Sequence, residues 1–233
     1  IQPLICKWYT DIFCLTAMKL QAPNLPNNPI TTSNLRELLE EAHILDGAVY
    51  NARVKKAVYC ETGAEGVSFK NVIFEGCNFT GCPLKGASFY DCSFSSCNFS
   101  NAGLNGSYFS RCEIKSCKAV GANLRECRMN DVSISDSNLS FVNFDESKMQ
   151  GVIVRDSDFN SATFTQCKLK NAVFDNNQFV RTSFFKTPLK GIDLRTCELS
   201  GLIVSIECTE LKGAVVTMFQ AAELSRLMGL VIK

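Results

Sequence analysis

The residues of this 233-residue chain that could carry chemistry are its 13 cysteines and its one histidine, His43. A thiolate serves as nucleophile, redox centre or metal ligand, but each use needs a partner: an imidazole base, a resolving thiol, or the Cys-x-x-Cys pair of a zinc site. Nine of the thiols, Cys77, Cys82, Cys92, Cys97, Cys112, Cys117, Cys127, Cys167 and Cys197, instead share one five-residue register. That spacing is no metal-ligand pair, and one histidine argues against histidine metal sites, Ser-His-Asp triads and Cys-His pairs. The chain reads as a non-enzyme with no metal and no cofactor. Its thiols are too sparse and too odd in number for a secreted disulfide scaffold, so they are expected to be free and buried, as in a cytoplasmic protein.

What positions the thiols is a repeat. Every fifth residue from Phe69 to Val204 is apolar, and 13 of the 17 phenylalanines fall on that register. The position two residues before the large apolar one is mostly small, often cysteine or alanine; the position two residues after it is in most repeats a turn former such as Gly76, Gly81, Gly86, Asp91, Gly106, Asp131 or Gly151. A period of five spirals around an α-helix and alternates faces on a strand, so the chain has to turn once in every repeat. Four such turns close a 20-residue coil, and stacked coils pair at about 4.8 Å. Phe69, Phe89 and Phe109 are then expected to stack, as are Phe144, Phe164 and Phe184 and the column Cys77, Cys97 and Cys117, in an interior too full for a ligand. The pattern fades backward through Tyr59, Val54, Val49 and Ile44, which puts its start near residue 40.

Segments such as Ala122-Asn123-Leu124-Arg125-Glu126 and Cys77-Asn78-Phe79-Thr80-Gly81 match the motif of the pentapeptide repeat proteins, which the chain resembles over roughly residues 40 to 216. The resemblance implies an all-β fold, a right-handed quadrilateral β-helix of about eight coils and about 40 Å. The chain divides accordingly into 1–39, an N-terminal extension and cap; 40–216, the repeat solenoid; and 217–233, a short C-terminal helix and tail. Residues 1–17 form an apolar extension broken by Lys7 and Asp11, and no stretch of the chain has the length and apolarity of a membrane span.

With its core committed to packing, such a rod has only its skin and its ends for function. Lys plus Arg number 24 against 23 Asp plus Glu, so no bulk charge attracts nucleic acid or an acidic membrane, and only charges sorted onto one face could do so. The 20-residue arithmetic sorts them: Lys70, Arg128, Lys148, Lys168, Lys170 and Lys190 fall on one face, and Asp136, Asp156, Asp158 and Glu198, against Lys118, on the opposite one. Tyr90 and Tyr108 should be surface neighbours, with Phe141 and Phe185 also pointing outward.

After Val204 the register slips by two and resumes at Leu211 and Val216, and Thr217-Met218-Phe219-Gln220 has the form of a capping box opening a helix that Gly229 ends. Phe219, Leu224, Leu227, Met228 and Leu230 make this segment an apolar cap or a dimer interface. The run from Phe219 to Ile232 looks like the tail of the Qnr quinolone-resistance proteins, and Met18 to Pro26 is similar to the start of their Gram-positive members. That resemblance implies two rods paired end to end through their tails, a DNA-like homodimer that protects DNA gyrase and topoisomerase IV from quinolones without itself binding nucleic acid or membrane. Asp136, Asp156, Asp158 and Glu198 are then the candidate gyrase contacts. Two departures bear on it. The unbroken register from 69 to 204 leaves no place for the projecting loops of Gram-negative Qnr proteins. Residues 67–216 also carry 16 basic against 15 acidic residues, where DNA mimicry calls for an acidic exterior. The alternative reading is a pentapeptide-repeat scaffold that binds another protein through its basic face.

Overall fold

The computed structural model describes residues 18–44, 47–60 and 64–232. The expected extension over residues 1–17 lies outside the described residues. Short strands dominate: β1 (Ile30–Thr32), β2 (Ala48–Tyr50), β3 (Ala52–Lys55), β4 (Ser68–Lys70), β5 (Ile73–Glu75), β6 (Ser88–Tyr90) and β7 (Ser93–Ser95). Four longer strands follow, β8 (Tyr108–Lys115), β9 (Arg128–Ser135), β10 (Lys148–Arg155) and β11 (Lys168–Asp175), each running around a corner. Helix α1 (Leu35–Ile44) precedes the coils and α2 (Met218–Ser225) follows them.

The coils stack in parallel with an offset of 20 residues, forming a four-sided solenoid. The first side stacks Phe69, Phe89, Phe109, Met129, Met149 and Leu169, and the second Phe74, Phe94, Ile114, Ile134, Val154 and Phe174. The third runs from Val58 through Asn78, Asn98, Lys118, Asn138, Asp158 and Gln178 to Glu198, eight layers joined by seven turns, and the fourth from Pro83 to Ile203. The turn formers sit where the pattern requires them. Every fifth residue from Asn71 to Gly191 has a positive φ, between 49° and 78°, which rounds the corner between two sides.

Inside, the expected ladders form. Phe69, Phe89 and Phe109 stack with ring centroids 5.2 and 4.9 Å apart, and Phe144, Phe164 and Phe184 with 5.0 Å at both steps. The thiols have a role beyond filling space. At two of the four corners the N–H of the small residue donates to the carbonyl three residues back, as Cys82 does to Phe79 and Ala87 to Leu84. The carbonyls of Phe69, Phe74, Phe89 and Phe94, at the other two, accept instead from the thiols of Cys92, Cys97, Cys112 and Cys117, each 23 residues later. Buried carbonyls need such partners, and cysteine supplies a donor of the right size. All described cysteines are free thiols. Mid-rod the interior is less full than expected: Ala119 takes a large-residue position and an apolar void of about 40 Å³ remains, lined by Phe99, Phe109, Leu124, Met129 and their neighbours.

The ends depart from the repeat. Ile44, read as an early large position, is instead the last residue of α1 and 81% exposed, while Leu35, Leu39 and Ala42 pack that helix onto the first coil. The repeat therefore begins at β2 rather than near residue 40. Before α1 an extended strap lies along one corner of the rod. The Asn24 N–H donates to Asp91 Oδ1, the Asn71 side chain donates to the Asn24 carbonyl, and Leu20 lies beside Gly151, where a Cβ would also come within 3.1 Å of Asp131. Asp91 anchors the strap and receives a two-pronged contact from Arg111, at 2.8 and 2.6 Å. The guanidinium holds the Asp91 carboxyl below the usual carboxylate range.

At the other end the two-residue slip is real, since Asp193 pairs with Val215, 22 residues on. The extra residues make a turn in which Glu210, 2% exposed, accepts from the backbone N–H groups of Lys186 and Ser205 and from the Ser205 hydroxyl. Burial alone would raise the Glu210 carboxyl, but these donors bring it below its ordinary value. Helix α2 starts with the expected capping box between Thr217 and Gln220, and Gly229, with φ 76°, closes the short 3-10 turn that follows. The Gln220 amide also donates to the carbonyls of Leu194 and Cys197, covering the open edge of the last coil.

Candidate protein-binding faces

The 20-residue coil brings all four candidate carboxylates, Asp136, Asp156, Asp158 and Glu198, into one open groove along the third side and its leading corner. Asp136 and Asp156 are successive corner residues, both at positive φ, so their Cα atoms stack one coil apart; Asp158 and Glu198 project from the side itself. Asn138, Asn176, Gln178 and Arg195 line the groove between them, and these polar neighbours were not marked by charge spacing. Asp156 accepts from the Asn176 amide at 2.7 Å, and Asp158 from the Asn160 N–H at 2.7 Å. The Ser200 hydroxyl and N–H donate to Glu198 and hold its carboxyl below the usual range. Arg195 is engaged by Asp193 at 2.6 Å, so it does not neutralise the groove carboxylates. None of the four forms an ion pair among the described residues.

The opposite side gathers four of the six basic candidates. Arg128, Lys148, Lys168 and Lys170 line one shallow patch with Asn130 and Gln150, in two columns on either side of Met129 and Met149. Lys70 is remote from it, donating to the Tyr50 hydroxyl near the first coil, and Lys190 stands one coil beyond Lys170. Elsewhere on the rod several cations are neutralised coil to coil, as Arg53 is by Glu75, Arg125 by Glu146 and Arg155 by Asp175. The patch and the groove are two sides on which charges of one sign stack without such pairing.

Tyr90 and Tyr108 are neighbours at 5.2 Å between centroids. Phe141 and Phe185 both point outward, and Phe141, 63% exposed, occupies a corner at φ 59°. Of the tail residues expected to form an apolar cap or a dimer interface, Phe219, Leu227, Met228 and Leu230 are exposed. Leu224 corrects that expectation. At 9% exposed it packs into the core of the last coil, because α2 turns this face inward. Among the described residues no group of three His, Cys, Asp or Glu side chains is placed to hold a metal, and no helix is long and apolar enough to cross a membrane.

Two family models described as pentapeptide repeats match the chain, one over residues 65–113 and the other over 137–176 and 157–201. No curated protein matches it in sequence. Among solved structures it is similar to HetL, a pentapeptide repeat protein involved in heterocyst differentiation regulation from the cyanobacterium Nostoc, at 16% identity over 72% of this chain and 74% of that one, with a TM-score of 0.45. It is also similar to QnrB1, a plasmid-mediated fluoroquinolone resistance protein, at 17% identity over 78% and 100%, with a TM-score of 0.41. A third similarity is to a pentapeptide repeat protein of the Arabidopsis thaliana thylakoid lumen, at 25% identity over 46% and 71%, with a TM-score of 0.37. The matched repeats are the same residues whose corners and ladders build the solenoid, so over residues 65–113 and 137–201 the chain is built of pentapeptide repeats.

Proposed function

We propose that this protein is a non-enzymatic, cytoplasmic binding rod that engages bacterial type II topoisomerases, DNA gyrase and topoisomerase IV, and protects them from quinolones. The observation that carries the reading is the groove in which Asp136, Asp156, Asp158 and Glu198 stand on three coils of one side, with the amides of Asn176 and Gln178 on the coil between, and form no ion pairs among the described residues. Carboxylates at regular axial steps on a stiff rod offer a partner's cationic DNA-binding surface a row of fixed anions. The Qnr-like sequence from Phe219 to Ile232 supports the same reading, and its exposed apolar side chains suit end-to-end pairing of two rods. Supercoiling by purified gyrase in the presence of ciprofloxacin tests it: the protein should restore activity in a dose-dependent way, and a variant with Asp156→Asn and Asp158→Asn should restore less. No rescue at any concentration would remove the reading.

The basic patch favours a second reading, a repeat scaffold that binds an acidic protein surface through Arg128, Lys148, Lys168 and Lys170. Charge reversal at Lys148 and Lys168 separates the two, since it should leave gyrase protection intact.

A further inference from the structure

The two unpaired faces match each other coil by coil. Within one coil Arg128 is followed eight residues later by Asp136, Lys148 by Asp156 and Asp158, and Lys190 by Glu198. The coil holding Lys168 and Lys170 presents the amides of Asn176 and Gln178 on the far side. Cation and anion thus stand at nearly the same height on opposite sides of one rod, offset by about half a coil. Any two copies have the same rung spacing, about 4.8 Å, so a sideways translation alone brings the basic side of one against the acidic side of the next with every rung in register. A partner with another axial period would drift out of register within a few rungs.

Energetics favour an occupant for both sides. Like charges stacked one rung apart repel by about 1 kcal/mol even in water, and neither stack has an ion-pair partner among the described residues. Net charge adds no barrier: at +1 the whole molecule has almost no self-repulsion between copies.

We propose that these rods associate laterally and in parallel, the patch of Arg128, Lys148, Lys168 and Lys170 on one copy seated on the Asp136, Asp156, Asp158 and Glu198 groove of a second copy. The contact is heterologous, so it propagates from copy to copy instead of closing on itself. Surface ion pairs are individually weak, and the association is accordingly weak, concentration-dependent and sensitive to salt. It uses the sides of the rod, does not rest on the gyrase reading although both engage the same groove, and is separate from any end-to-end contact through the tail.

Sedimentation equilibrium of the full chain over a range of concentrations tests the proposal. Screening shortens from about 30 Å at 0.01 M salt to about 3 Å at 1 M. Weight-average mass should therefore rise at least about twofold with concentration at low salt, and this rise should vanish at high salt, leaving whatever end-to-end species the tail forms. Lys148→Glu with Lys168→Glu should abolish the low-salt rise, as should Asp156→Lys with Asp158→Lys in a second variant. Mixing the two variants should restore it, because the unaltered basic patch of the second variant can then seat on the unaltered acidic groove of the first. A mass independent of salt and concentration, or failure of the mixed variants to associate while both remain folded by circular dichroism, overturns the proposal.

Discussion

The thiol of Cys112 donates to the carbonyl of Phe89, 23 residues earlier and one coil below, at 3.4 Å. The same step recurs with oxygen donors, from Ser107 to Leu84 at 3.1 Å and from Ser147 to Leu124 at 2.9 Å. Cysteine, serine and threonine are thus alternatives at one structural position: each is small, and each sends a donor to a carbonyl of the coil beneath.

Burial shields the repeat thiols from solvent in the folded state. Burial pushes Cys82, Cys127 and Cys167 up to about 12, so their nucleophilic form is scarce at neutral pH. Of the described cysteines, only the exposed Cys60 and the partly exposed Cys208 should react with iodoacetamide in the native protein, with the buried nine labelled after denaturation. Peptide mass mapping reads this directly, and native labelling of Cys112 would contradict it. Cys112→Ser should stay within about 1 kcal/mol of the parent, whereas Cys112→Ala should cost about 1–2 kcal/mol through a carbonyl left without its donor and a small void.

The void beside Ala119 should be fillable. At about 24 cal/mol per Å³, a space of about 40 Å³ corresponds to about 1 kcal/mol. Ala119→Val should raise the urea midpoint with an unchanged m-value, and a lower midpoint would mean that the surrounding rings do not yield to the added methyls.

Two buried carboxylates set the acid stability. Asp91, held low by Arg111, and Glu210, held low by its backbone donors, both have folded-state values below their ordinary ones. Their stabilisation is fully present above the ordinary carboxylate range, about 4, and is lost as pH falls through the depressed folded-state values. Unfolding free energy should therefore drop between about pH 5 and pH 2. Asp91→Asn should lower stability at pH 7 and flatten that drop, and an acid limb as steep as the parent's would show that Asp91 does not contribute.

The tail predicts its own assembly. Met228→Glu with Leu230→Glu places charges on two exposed apolar side chains while leaving Leu224 and the Gln220 contacts in place. Light scattering at high salt should show the mass halved relative to the parent, with the melting temperature little changed. An unchanged dimer would move the contact away from the tail.

Much of this was legible in the sequence because a fixed period writes structure directly. A residue in the 69, 74, 79, 84 series is inside, the residue two further on turns a corner, and twenty residues make a rung, which is enough to place Asp136, Asp156, Asp158 and Glu198 in one groove. Several features outside the period were not legible. Ala42 and Ile44 have the small and large spacing of a repeat, but Leu35, Leu39 and Ala42 also share one helical face, and packing of that face decides the matter. Leu224 could have faced either way on a short apolar helix; Gln220, by binding two carbonyls of the last coil, fixes the rotation that buries it. Asp91 draws on Asn24 and Arg111, and Glu210 on Lys186 and Ser205, through a strap and an irregular turn that no repeat announces.

The constant pitch makes this a molecule that counts. Between Asn71 and Gly191, adding or removing twenty residues changes only how many storeys it has, whereas removing one sends every later phenylalanine off its wall and every later acid off its groove. The extra pair of residues before Val215 is where the count stops. Length, and with it the reach of both charged sides, is therefore inherited in whole storeys.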